Sequence, residues 1–153
     1  MQYICGIDEA GRGPLAGPVT AAAVILPDSF PIEILGDSKK LSKTRRETAE
    51  TVIHDLALAW SVAWVSSGTI DAINIHKAAL LAMRRAYYGL PEKYRSRSEV
   101  VVDGKYVPDV PVPSAAIIRG DQLVHEIMAA SILAKCARDR WMVRISERYP
   151  AWG

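Results

Sequence analysis

Short apolar runs and helix-period stripes take turns along this chain. Tyr3, Ile4, Cys5, Gly6 and Ile7 form a short run that predicts a buried strand. Asp8 and Glu9 close it. Gly11, Gly13, Gly17, Pro14 and Pro18 then mark a loop that carries Arg12. Residues 19–26 are apolar and alanine-rich between Pro18 and Pro27, which predicts a second strand antiparallel to the first. Ser42 is a good N-cap for a helix over 43–55, with Ala49, Val52, Ile53 and Leu56 on one face. Residues 57–66 alternate: Leu58, Trp60, Val62 and Trp64 share one face, predicting a third strand whose large side packs beneath a helix. Thr69 or Asp71 suits the cap of a short turn. A helix follows over 74–88 with Ile75, Ala79, Ala82, Met83 and Ala86 inward, ended by Gly89 and Pro91. Residues 92–98 read as polar loop, 100–102 as a strand closed by Asp103 and Gly104, and 115–119 as a fifth strand. A long helix is predicted over 122–148, with Leu123, Ile127, Ala130, Ala134, Ala137, Trp141 and Ile145 on its stripe. Lys135, Arg138, Arg140, Arg144 and Arg148 decorate its remaining surface. The order β-β-α-β-α-β-β-α, with the second helix open to splitting, predicts a mixed sheet covered by helices.

Composition narrows the class. The 153 residues suit one domain over 1–153 with a real core. The net charge of +2 means that a nucleic-acid surface must come from local clustering. No apolar run has the length of a membrane span, and the first residues lack a signal-peptide pattern. Cys5 and Cys136 are far apart and read as buried thiols of a reducing, cytoplasmic compartment, with a disulfide as the alternative.

Three separated elements share one grammar: a short apolar segment leads to Asp8 and Glu9, another to Asp103, a third to Asp121. Parallel neighbouring strands put their carboxyl ends on one edge, where ligands bind. If the first and fourth strands are such neighbours, Asp8 and Asp103 lie about 4.8 Å apart, and carboxylates that close need a cation or a proton between them. Four acids meeting there would hold two hard divalent cations, Mg²⁺ or Mn²⁺. Strand alternation sends Asp8 and Glu9 to opposite faces, so both serve one site only if the strand ends or twists at Glu9, which Gly11 permits. Each acid also has a plainer reading: Asp121 as a helix N-cap, and Asp103 with Gly104 as a turn pair. Arg12 between two glycines suits phosphate and sugar oxygens, and Lys39 and Lys40 before a helix suit phosphate; both are also ordinary loop charges. His54, His76 and His125 fall in helices, away from any glycine-framed nucleophile. Zinc spacing, a Walker loop and a dinucleotide fingerprint are missing. Trp60 and Trp64 read as core.

Four blocks resemble type 2 ribonuclease H, ribonuclease HII: residues 6–18 around Asp8, Glu9, Gly11, Arg12 and Gly13; residues 37–42 with Lys39 and Lys40; Val101, Val102, Asp103 and Gly104; and Gly120 and Asp121 with residues 129–135, Arg138 and Asp139. The resemblance implies an α/β ribonuclease H-like fold with a central five-stranded mixed sheet flanked by helices. It implies a metal-dependent endonuclease of ribonucleotide excision repair, using Mg²⁺ or Mn²⁺. Such an enzyme cleaves the RNA strand of RNA–DNA hybrids and incises 5′ of single ribonucleotides in duplex DNA, by two-metal phosphoryl transfer, leaving a 3′-hydroxyl and a 5′-phosphate. Carried over by position, Asp8, Glu9, Asp103 and Asp121 are the metal-binding carboxylates. Gly11, Arg12 and Gly13 sense the 2′-hydroxyl, Lys39 and Lys40 lie near the substrate backbone, and Tyr149 stacks on a sugar. The expected partners are the hybrid and ribonucleotide-containing duplex, with no membrane, for a monomer. Arg119 departs from the family's usual lysine. Family members usually continue in further helical segments, so a C-terminally shortened chain that binds substrate weakly is expected. The type 3 relatives usually carry an extra N-terminal domain, and the early catalytic block favours type 2. The alternatives are another nuclease of the superfamily acting on DNA junctions, or a hybrid-binding module without turnover.

Overall fold

The computed structural model describes residues 2–12, 17–36 and 41–148. Its centre is β1 (Tyr3–Ala10), with β2 (Val19–Ile25) antiparallel on one side and β4 (Ser98–Asp103) parallel on the other. The strand β3 (Ala59–Val65) extends β2 antiparallel, and β5 (Ser114–Ile117) extends β4 in parallel, giving the order β3-β2-β1-β4-β5. The mixed five-stranded sheet and the opening hairpin are as the apolar runs predict.

Both faces are covered. Cys5 and Ile7 of β1 and Val100 and Val102 of β4 pack with α3 (Ile75–Tyr88) through Ala78, Ala82, Met83 and Ala86. Ala22 and Val24 of β2 pack on the opposite face with α1 (Lys43–Leu56) and α6 (His125–Arg148), through Ala49, Ile53, Ala130, Ile132 and Leu133. Ala21, Ala22 and Ala23 are fully buried, and their small side chains let helices close on the sheet from both sides. Gly6 carries this furthest. A Cβ there would run into the backbone of Glu126 and Ile127, so the first turn of α6 lies directly on β1. No helix among the described residues is long and apolar enough to cross a membrane.

Local chemistry sets most boundaries. Ser42 accepts the Arg45 N–H at 3.2 Å and starts α1. The short α2 (Ser67–Ile73) is capped by Ser66, one turn before the expected Thr69 or Asp71, because Ser66 is the residue whose extended backbone aims its hydroxyl at the Thr69 N–H. Asn74, at φ 77°, separates α2 from α3 and caps the latter.

Four expectations change. Residues expected as polar loop hold a helical turn, α4 (Glu92–Arg95), entered through Pro91. The long C-terminal helix is two pieces, α5 (Gly120–Leu123) and α6, because Val124 is extended at φ −120°, ψ 122°. Leu123 therefore leaves the stripe and is 68% exposed. In α6, burial goes round the helix from Ile127 to Cys136, since sheet and α1 contact it from two sides. Finally, Trp60 is 40% exposed rather than core. Its face of β3 lines an open groove under α1 and α6, where His54 stacks on it at 4.0 Å.

Candidate active site

The register of β1 and β4 builds the site. Gly6 pairs with Val101 and Ile7 with Val102, so continuing the ladder sets Asp8 beside Asp103 at the carboxyl ends of two parallel strands. Both acids take the α6 side, because Cys5, Ile7, Val100 and Val102 take the other. The third acid arrives by a local device. Arg119 adopts a left-handed conformation at φ 59°, and α5 starts at once with Gly120. A Cβ on Gly120 would stand 2.6 Å from Ile127 Cδ1 and 3.4 Å from Asp103 Cα, so glycine permits this approach. The Asp121 N–H then donates to Asp103 Oδ1 at 3.4 Å. Asp121 lies inside the first turn of α5, and the N-cap position belongs to Arg119, so capping is not its role.

Among the described residues, Asp8, Asp103 and Asp121 each offer a carboxylate oxygen, and these lie within 4.8 Å of one another. Asp8 and Asp121 are 5% exposed, and Asp103 is half-buried. Burial raises the Asp8 pKa well above the ordinary carboxylate value, and Glu9, Asp103 and Asp121 raise it further. The Glu9 N–H, donating to Asp8 Oδ1 at 2.8 Å, opposes this. A multivalent cation would offset both the burial and the repulsion, and all-oxygen donors suit a hard one.

Glu9 stands next to this trio. The strand runs on to Ala10 and does not end at Glu9. The Glu9 side chain stays beside Asp8, whose pKa it raises, and also meets Arg12 at 3.7 Å. Its pKa is still raised, by burial first and by Asp103 as well, with Arg12 opposing, so it belongs to the same electrostatic neighbourhood. Arg12 itself is 44% exposed in its side chain. With Asp103, it borders a hollow of about 30 Å³ that His76, Lys105 and Tyr106 also line. Gly11 bends the chain at φ 97° between Glu9 and Arg12. Gly13, Lys39, Lys40 and Tyr149 lie outside the described residues.

Comparison with known proteins agrees with this arrangement. The sequence profile of the family described as Ribonuclease HII matches residues 5–152. The chain belongs to the ribonuclease HII family. It is 50% identical to the ribonuclease HII of Treponema denticola over 163 residues, covering 98% of this chain and 82% of that protein. It is 55% identical to the ribonuclease HII of Delftia acidovorans over 150 residues, covering 98% of this chain but only 63% of that protein. The crystal structure of ribonuclease H2 from Pyrococcus horikoshii superposes with a TM-score of 0.83 at 24% identity, covering 99% of this chain and 79% of that one. The fold is thus the ribonuclease H-like fold, and the family is one of ribonuclease H endonucleases.

Sequence reading missed one residue of this neighbourhood. The helix period places Arg138 on the surface, yet its Nε donates to the Pro18 carbonyl at 3.3 Å, close to Gly11 and Gly17. Its place in a block shared with the family was the available signal.

Proposed function

We propose that the chain is a metal-dependent endoribonuclease. It cleaves the RNA strand of RNA–DNA hybrids and incises 5′ of single ribonucleotides in duplex DNA, leaving a 3′-hydroxyl and a 5′-phosphate. The observation that carries this is the trio of carboxylate oxygens within 4.8 Å of one another at the strand edge. Membership of the ribonuclease HII family supports the class of substrate it is read against.

Asp8, Asp103 and Asp121, with Glu9 as the fourth acid, are the residues that would hold Mg²⁺ or Mn²⁺. When bound, such ions supply an activated water and positive charge for the leaving oxygen of a phosphodiester. The protein's own contribution is preorganisation. Two parallel strands and the first turn of α5 fix the acids before substrate arrives, so little reorganisation is needed at the moment of reaction. The burial of Asp8 and Asp121 excludes bulk water from one side of the cluster.

Arg12 is the substrate-facing cation of this reading, with Glu9 restraining it through the 3.7 Å ion pair. Gly11, Arg12 and Gly13 read the 2′-hydroxyl, the group that separates RNA from DNA. Lys39 and Lys40 contact the substrate backbone, and Tyr149 stacks on a sugar. The likeness in motif to the family supports these roles.

The test is a duplex with one ribonucleotide in an otherwise DNA strand, beside an RNA–DNA hybrid and an all-DNA duplex, with and without Mg²⁺ or Mn²⁺. Cleavage of the first two, dependent on the cation and leaving a 5′-phosphate, is expected. Equal cleavage of the all-DNA duplex, or undiminished cleavage in chelator, overturns the proposal.

A further inference from the structure

One side chain of α6 braces both ends of the glycine-rich segment. Arg138 Nε donates to the Pro18 carbonyl at 3.3 Å. A Cβ at Gly11 would collide with that same Nε and stand 2.7 Å from that same carbonyl. A Cβ at Gly17 would lie 3.4 Å from Arg138 Nη2 and 3.1 Å from the Trp141 ring. Gly11 at φ 97° and Gly17 at φ 133° both take conformations that favour glycine, so the entry and the exit of the segment close down on the guanidinium. Arg12 follows Gly11 directly. Its ion pair with Glu9 is long and its side chain is 44% exposed, so that contact alone restrains it weakly.

We propose that Arg138 is a positioning residue that, by bracing Gly11 and Pro18 from beneath, sets where Arg12 meets the substrate and thereby sharpens the choice of ribonucleotide over deoxyribonucleotide. This rests on the function proposed above. The chemistry requires arginine. The Nε–H leaves the side chain before its branch point and serves the carbonyl, while the planar fork fills the space that the two glycines leave open. Lysine has a single terminal ammonium and provides no donor at the Nε position. The helix supplies the anchor: most of α6 from Ile127 to Cys136 is buried, and Arg138 follows two residues later from that packed base.

The test uses the full chain, with Arg138→Ala, Arg138→Lys, Arg12→Ala and the double variant Arg12→Ala/Arg138→Ala. Hydrogen–deuterium exchange is read on peptides containing Gly11 and Arg12, without metal or substrate. Initial rates are read on the single-ribonucleotide duplex. Faster exchange at Gly11 and Arg12 in both Arg138 variants, with an unchanged thermal midpoint, is expected. On the Arg12-intact background kcat falls on the order of ten- to a hundredfold, the range that displacing a group at a distance from the chemistry produces. Arg138→Lys restores neither readout. In the Arg12→Ala background, removing Arg138 costs about twofold or less, because the group it positions has gone. Unchanged exchange, full rescue by Arg138→Lys, or losses that multiply in the double variant would each overturn the proposal. Where Arg138→Ala does not fold, Arg138→Lys carries the same measurements. A wild-type protein that cleaves no ribonucleotide-containing duplex would defeat the proposed function, and the exchange comparison would still decide whether Arg138 places Arg12.

Discussion

Asp8 sits in a surrounding that disfavours its own charge. It is 5% exposed, and three other carboxylates raise its pKa in addition to the burial. A neutral isostere therefore has two opposite effects. Asp8→Asn removes a buried, repelled charge, and the metal-free protein is expected to gain about 1 kcal/mol, or about 2–4 °C in thermal midpoint for a chain of this size. The same change removes an oxygen donor for the proposed cations, and cleavage of an RNA–DNA hybrid is expected to fall by more than about a hundredfold, beyond what loss of a mere supporting contact to a metal site costs. Scanning calorimetry and hybrid cleavage on one preparation check both. A variant that loses activity and also loses stability would mark Asp8 as a structural residue. Two of the acids were legible before folding, since Asp8 and Asp103 end apolar runs and parallel strands align such ends. Asp121 was legible as a third acid of the same pattern but with a helix N-cap as its plainer reading, and what sets it beside Asp103 is a left-handed Arg119 and a close approach at Gly120.

At the scale of elements, α6 is the part on which the arrangement depends. It lies on β1 at Gly6 and against α1 along its other side. Gly6→Ala places a methyl group inside the Glu126 backbone, so the helix must lift from the strand that carries Asp8. A loss of about 3 kcal/mol is expected, at the upper end of overpacking costs, read as a lower urea midpoint. The junction with α1 is polar instead. Arg140 donates twice to Glu50, with both distances at 2.6 Å, and Glu50 is buried while Arg140 is half exposed. Arg140→Ala leaves the buried carboxylate without that fork. Solvent at the exposed partner reduces the cost to about 1–2 kcal/mol, below that of a fully buried pair. Chemical denaturation of the two variants should rank them in that order. The helix stripe was readable from residue spacing, but the break at Val124 was not, since an apolar residue there fits the period as well as its neighbours do.

For the whole molecule, the crowded acids give stability a pH dependence of definite sign. The Asp8 and Glu9 pKa values are raised in the folded state. Their stabilising contribution is therefore complete below the unfolded values of 3.8 and 4.5 and is lost as the pH rises through the folded ones. The metal-free protein minus Asp8→Asn is expected to lose stability from mildly acidic pH toward neutral, a comparison that cancels the titrating groups remote from Asp8 and reads Asp8 together with the acids coupled to it. Adding Mg²⁺ or Mn²⁺ at neutral pH is expected to raise the wild-type midpoint and to leave Asp8→Asn nearly unmoved. A midpoint difference that is flat with pH, or an equal metal response in the two proteins, would refute this. The exposed face of Trp60 shows the same dependence on assembly: alternation identified the face, and the layers stacked on it left it partly open.

The sequence alone determined the strands, most helix starts, the mixed sheet and the family, because these follow from contacts within a few residues or from an ordered string of motifs. Tertiary structure decided how the acids come together: Asp8, Asp103 and Asp121 bring carboxylate oxygens within 4.8 Å of one another, while Glu9, next to Asp8, also pairs with Arg12 at 3.7 Å. It also decided that Arg138 reaches the Pro18 carbonyl from α6. The reason is that period and alternation fix directions within one element, whereas a distance of a few ångströms between remote side chains depends on register, on a single left-handed residue and on how closely helix and sheet can approach.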